Sequence, residues 1–199
     1  RHNPLDNSIK LPFEAPSYDP NFSPSSINSL ALWVDANDSA TITQTNGIIS
    51  AWADKSGNER NATSGAGTPE ITVEDGPNGL PFVKFRRASG DDYLNVGGDG
   101  FIARHMFYVC RSPNDRWNYY GGILGHQSGR GSNYLFERNN FTYHNNRYPQ
   151  AVYKNGSELS QSNGYNMSPL TNFMILEIVV DDISTNPKTN YKIGRNDGY

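Results

Sequence analysis

One segment combines aromatic and hydrogen-bonding side chains in a way that suits a sugar ligand. It runs from residue 111 to 122, directly after one expected strand and before the next. Sugar rings present apolar C–H faces that stack on aromatic rings, and their hydroxyls need donors and acceptors. The segment offers both kinds of group, which gives a candidate carbohydrate-binding set of Asn114, Asp115, Arg116, Trp117, Asn118, Tyr119 and Tyr120.

A second segment, residues 134–148, has the same composition and adds Tyr143, His144 and Tyr148 to the candidates. Two other interpretations stay open for both segments. Trp117 and Tyr120 could fill the core while the asparagines form turns. Aromatic surfaces with arginine also form protein interfaces, so the same residues would serve assembly.

A calcium site is a further candidate. Ca²⁺ takes six to eight oxygen ligands from carboxylates, amides and carbonyls. Several such side chains lie on expected turns: Asp35, Asp38, Asp54, Asn58, Asp91 and Asp92. The alternative is that Asp54 opens a tight loop and accepts backbone N–H groups within it. The spacing is not that of an EF-hand.

Catalysis has weaker support. Glycoside cleavage generally needs two carboxylates about 5–9.5 Å apart. Glu177 and Asp181 share one face of a predicted strand but would lie about 13 Å apart at ~3.3 Å per residue. The four histidines, His2, His105, His126 and His144, have no metal-ligand spacing. We therefore expect a protein that is not an enzyme, with Glu177 as a hydrogen-bonded residue on an inner or concave face.

Composition limits the partners. The chain has 199 residues, with 17 Lys+Arg against 20 Asp+Glu, and its cations are not clustered. This gives no electrostatic footprint for nucleic acid. No apolar run approaches the roughly 18–20 residues that span a bilayer, so we expect no membrane insertion. Cys110 is the single cysteine, which forbids an internal disulfide, and its apolar neighbours predict a buried strand residue.

Short apolar segments recur between turn residues, and this pattern predicts an all-β protein built as an antiparallel sandwich or barrel. Asn155-Gly156 predicts a hairpin over residues 150–161. Residues 173–180 are apolar on both faces apart from Glu177, as expected of a central strand covered on each side. The predicted strands are Ile48–Trp52, Ile71–Val73, Pro81–Phe85, Tyr93–Val96, Ala103–Arg111, Gly122–Leu124, Tyr134–Glu137, Phe141–His144, Gln150–Lys154, Asn172–Val180 and Tyr191–Ile193.

Two regions are expected along the chain. Residues 1–28 contain prolines at regular short intervals, which favour an extended arm without helix. The domain proper is expected over residues 29–199.

Four motifs carry a family resemblance. In order, they are Leu30 to Asp38, Ile49 to Ala62, Asn78 to Phe85 and Asp91 to Leu94, and Val152 to Gly156 follows before the long strand. This arrangement resembles the laminin-G-like domains of the concanavalin A-like lectin/glucanase superfamily, which occur in bacterial surface proteins and phage structural proteins.

The resemblance implies a jelly-roll sandwich of two curved antiparallel sheets, with ligands on the concave face or on loops along one rim. The Glu-x-Asp-x-Glu motif of the glucanase branch is absent. Such domains typically close with a further strand after the segment matching residues 191–199. We therefore expect that the chain is incomplete, or that the arm or a partner subunit completes the sheet.

The resulting expectation is a non-catalytic carbohydrate-binding or adhesion module on an extracellular or virion surface, a location that rests on the resemblance alone. The alternative is a structural or decoration module of a larger assembly, such as a phage capsid, a phage tail or a surface layer. Its arm would then dock on a neighbouring subunit. A glycoside hydrolase is the third interpretation.

Overall fold

The structure is a computed structural model that describes residues 21–73, 75–86, 92–112, 124–126, 141–142, 149–160, 165–180 and 189–194. Strands dominate these ranges, and all of their recorded pairings are antiparallel. The all-β prediction is therefore confirmed. Helical structure in these ranges consists of single 3₁₀ turns, and none of it could cross a membrane.

The described strands are β1 (Ile42–Thr45), β2 (Ile48–Trp52), β3 (Ala62–Ala66), β4 (Glu70–Thr72), β5 (Phe82–Lys84), β6 (Tyr93–Val96), β7 (His105–Cys110), β8 (Leu124–His126), β9 (Phe141–Thr142), β10 (Pro149–Lys154), β11 (Ser157–Glu158), β12 (Tyr165–Asn166), β13 (Met174–Val180) and β14 (Tyr191–Ile193). Eight of them form one sheet in the order β5-β4-β2-β3-β6-β14-β8, with β1 paired to β2. A four-stranded sheet has the order β11-β10-β13-β7, and β12 pairs with β9.

The core contains side chains from both larger sheets. Successive residues of a strand point to opposite faces, so one face of each sheet can be apolar. Ile49 and Leu94 of the eight-stranded sheet and Leu176 and Ile178 of the four-stranded sheet are at most 1% exposed and belong to one hydrophobic cluster. The burial of this cluster is the main stabilising contribution to the fold.

Tyr108 and Cys110 of β7 also pack against this cluster. Burial raises the pKa of the Cys110 thiol to about 12, in keeping with its prediction as a buried strand residue. Burial likewise raises the pKa of Tyr108 well above its ordinary value. Its hydroxyl has no hydrogen-bond partner within the described ranges.

Two hairpins have an Asn-Gly dipeptide at their turn. Asn155 and Gly156 have φ values of 51° and 80°, which confirms the predicted β10–β11 hairpin. Asn46 and Gly47, at 51° and 83°, make the corresponding turn between β1 and β2, which the sequence analysis did not predict.

Two local expectations were wrong, and a third, on Glu177, holds for its hydrogen bond but not for an inner position. Pro24–Ser26 of the arm forms a 3₁₀ turn, because proline suits the first helical position and the Ser23 hydroxyl caps it. The strand at 173–180 is not covered on both sides, since Ile175 is 53% exposed. Glu177 lies on the face away from the core, because Leu176 and Ile178 on either side of it point inward. The predicted strand at 134–137 lies outside the described residues.

Candidate functional site

The non-core face of the four-stranded sheet carries aromatic, aliphatic, acidic and imidazole side chains that are exposed or half-buried. Strand register defines it: Val109 pairs with Ile175, Phe107 with Glu177, and Glu177 in turn with Tyr153. Directly opposed residues of antiparallel strands project to the same side of a sheet. We call this surface the outer face, and its members are His105, Phe107, Val109, Tyr153, Ile175 and Glu177.

An acid–imidazole pair occupies its middle. His105 Nε2 lies 2.6 Å from Glu177 Oε1, with side-chain exposures of 51% and 27%. Since an ionised carboxylate only accepts, the imidazole donates this hydrogen bond. No other contact of Glu177 is recorded within the described ranges, so its second oxygen can still accept a hydroxyl.

Aromatic rings lie on both sides of this pair. Phe107 is 58% exposed and stacks on His105 with ring centroids 4.8 Å apart. Tyr153 is the cross-strand neighbour of Glu177 on the other side and is half-buried. The carboxylate therefore sits between two aromatic residues, and Phe107 stacks on His105 while remaining 58% exposed.

One end of the outer face is aliphatic. Val109 and Ile175 are 64% and 53% exposed, and they lie next to each other across β7 and β13. Together with Phe107 they make a contiguous apolar area. Single exposed apolar residues are ordinary, but contiguous ones indicate a contact surface.

The predicted sugar-binding residues cannot be placed. The whole candidate set, from Asn114 to Tyr120 and Tyr143, His144 and Tyr148, lies outside the described residues. Residues 113–123 follow Ser112 in the chain. The sequence prediction for these loops stays a prediction.

The described calcium candidates are engaged by other groups of the chain. Asp35 and Asp38 both pair with Lys55, at 3.0 and 2.7 Å. The hydrogen bond that Lys55 donates lowers the pKa of Asp38, and its hydrogen bonds to Asp38 and Asp35 raise the pKa of Lys55. These two carboxylates are therefore matched to a cation of the chain itself.

Asp54 is engaged by N–H and O–H donors. It accepts from the backbone N–H groups of Trp33, Ser56 and Arg60 and from the Ser56 hydroxyl. Burial raises the pKa of Asp54, but these hydrogen bonds outweigh that effect and leave the pKa below its ordinary value. Asn58 donates its amide to the carbonyl of Leu30, which fixes the same loop.

Asp92 is at the opposite end of the β3–β6 ladder from Asp54, where it accepts from the backbone N–H groups of Thr68 and Arg86. Asp91 lies outside the described residues. Among the residues that are described, no group of three or more His, Cys, Asp or Glu side chains could hold a metal ion.

Sequence reasoning missed Phe107, Val109, Ile175 and Tyr153 as surface residues. β7 is apolar on both faces, so its periodicity does not tell which residues face outward. Glu177 was the one residue of its strand from which the outward face could have been predicted. A lone carboxylate in an apolar strand marks the outward face, and counting by two from it identifies Ile175.

The chain matches no protein-family model, no curated protein and no solved structure. The functional argument therefore rests on the geometry of the outer face and on the sequence.

Proposed function

We propose that this protein is a non-catalytic carbohydrate-binding or adhesion module, displayed on a cell or virion surface, and that the outer face forms part of its glycan site. One observation carries the proposal: the Glu177 carboxylate is held by His105 between the rings of Phe107 and Tyr153 on an exposed sheet face. Antiparallel sheets around one core are compatible with a concanavalin A-like jelly roll, which we propose as the fold.

The chemistry of binding follows from these groups. The exposed face of Phe107 would stack on the C–H face of a sugar ring, while the free Glu177 oxygen accepts a hydroxyl hydrogen bond. The predicted loop residues Asn114 to Tyr120 follow β7 in the chain. They would extend the site with a second aromatic group, Trp117.

The test is a binding assay of the parent chain against a panel of neutral and acidic polysaccharides, in calcium and in chelator. Phe107→Ala, Glu177→Gln and Trp117→Ala should each weaken binding at least tenfold. Phe22→Ala is the matched control, since Phe22 is 61% exposed against 58% for Phe107 but lies outside the outer face. Melting temperatures should show that all variants are folded. A folded parent chain that binds no member of the panel would contradict the proposal.

A second function is favoured by the aliphatic end of the outer face. Contiguous exposed Val109, Ile175 and Phe107 would suit contact with a neighbouring subunit in a larger assembly. In that case the parent chain self-associates in sedimentation velocity and Val109→Glu abolishes the association. Val73→Glu is the control, because Val73 is 67% exposed and lies elsewhere.

A further inference from the structure

Arg111, directly after β7, is held in an aromatic cradle. Its guanidinium carbon lies 4.8 Å from the centre of the Phe173 ring and 5.4 Å from that of Phe82. The two rings contact each other edge to face, with centroids 5.4 Å apart. The guanidinium therefore lies within cation–π range of two rings at once, while its N–H groups remain hydrogen-bond donors.

The cradle adjoins the outer face. Val109 pairs with Ile175, so the next position on this side of the same ladder brings residue 111 opposite residue 173. The contact between Arg111 and Phe173 agrees with that register. Arg111 thus lies just past the Val109 end of the outer face, where it also contacts Phe82 of the eight-stranded sheet.

The guanidinium is exposed and has no carboxylate or hydrogen-bond partner among the residues that the structure describes. Other arginines are engaged differently. Arg86 pairs with Glu70, and Arg60 donates to the carbonyls of Ala31 and Asp99. Arg111 therefore has donors available, and contact with two rings restricts its side chain, so less side-chain entropy is lost when an anion binds.

We propose that the glycan bound at the outer face is acidic, and that Arg111 binds its carboxylate or sulfate group. The proposal rests on the proposed function and names the substrate class of the same site. A planar guanidinium matches the paired oxygens of either anion with two parallel hydrogen bonds. Phe107 would stack on a neighbouring sugar ring of the same chain.

The experiment uses two pairs of immobilised polysaccharides. Dextran and dextran sulfate differ in sulfate, and highly methyl-esterified pectin and polygalacturonate differ in free carboxylate. We expect the parent chain to prefer the charged member of at least one pair, and which pair responds identifies the anion. Higher salt should weaken this preference.

Single substitutions distinguish binding by the Arg111 guanidinium itself from a general effect of positive charge on the protein. Arg111→Gln should weaken binding of the charged member tenfold or more, as expected for loss of a charge-assisted bond. Arg111→Lys should restore only part of it, because lysine lacks the planar fork. Arg104→Gln removes the same charge at the opposite end of β7 and should have little effect.

The outcomes distinguish the two proposals. Equal binding to charged and neutral members, lost in Phe107→Ala but not in Arg111→Gln, would overturn the acidic glycan and leave the carbohydrate function standing. Equal losses in Arg111→Gln and Arg104→Gln would overturn the role of Arg111 as well. Binding to none of the four, nor to the wider panel, would overturn both proposals.

Discussion

Replacing Asp54 by alanine should destabilise the fold substantially, although the side chain is only part-buried. Its carboxylate accepts four hydrogen bonds, at distances between 2.7 and 3.1 Å. Three donors are backbone N–H groups, from Trp33, Ser56 and Arg60. The bond to Trp33 crosses 21 residues and, with Lys55 N–H donating to the Trp33 carbonyl, ties the segment before β1 to the loop after β2.

The magnitude follows from the groups left without an acceptor. Loss of a side-chain cap on one backbone N–H costs about 0.5–2 kcal/mol. Three such groups give about 1.5–6 kcal/mol of unfolding free energy, and their partial exposure to water favours the lower half of that range. Urea unfolding followed by tryptophan fluorescence measures it. Asp99→Ala is the control, since that side chain is exposed and should change stability by less than about 0.5 kcal/mol.

Measuring the unfolding free energy over a range of pH gives a second test of the role of Asp54. The pKa of Asp54 is below its ordinary value in the folded protein, so its contribution is present above the unfolded pKa and is lost as pH falls through the folded pKa. The stability gap between the parent and Asp54→Asn should narrow below about pH 4. If Asp54→Ala is no more destabilising than Asp99→Ala, the reasoning about this loop is refuted.

Three other positions give independent checks. Tyr108→Phe should raise the unfolding free energy by about 1 kcal/mol, because it removes a buried hydroxyl without a partner in the described chain; a loss in urea unfolding would contradict this. Cys110 should resist a thiol reagent at pH 8 in the native state and react at once in guanidinium, since burial raises its pKa to about 12. Gly67→Ala should lower the melting temperature more than Gly156→Ala: both have positive φ, but only the new Cβ at Gly67 would overlap Asp92.

The sequence predicted strands best where turn residues bound them. β2 and β6 have the predicted bounds because Gly, Asn and Asp stand close to their ends. β3 was missed because Ala62–Ala66 contains serine, threonine and glycine, and it is a strand only through its pairing with β2 and β6. Cross-strand partners, which a local pattern does not contain, decide such cases. β1 could have been found from Asn46-Gly47.

The site was less accessible to sequence reasoning than the fold class. Composition placed the predicted site in the residues after 112, which the structure does not describe. It gave no indication of a site on β7. In β7 the residues from Met106 to Cys110 are all apolar or aromatic, whether they point inward or outward. Hydrophobic periodicity therefore does not indicate which face of the strand is exposed. Only the register with β13 shows that Phe107 and Val109 share a face with Glu177.

The same register bears on the choice between a glycan and a protein partner. A protein interface centred on this face would bury Glu177 and His105, and desolvating a hydrogen-bonded carboxylate and imidazole costs free energy unless the partner supplies matching polar groups. A sugar supplies them with every hydroxyl and leaves the pair partly solvated. Arg111, just past the Val109 end of the outer face, adds an exposed cation with no partner among the described residues, which an aliphatic interface would also have to neutralise. A ring that lies between a hydrogen-bonded carboxylate and an arginine with available donors therefore favours a polar ligand with apolar faces, and an acidic polysaccharide has this composition.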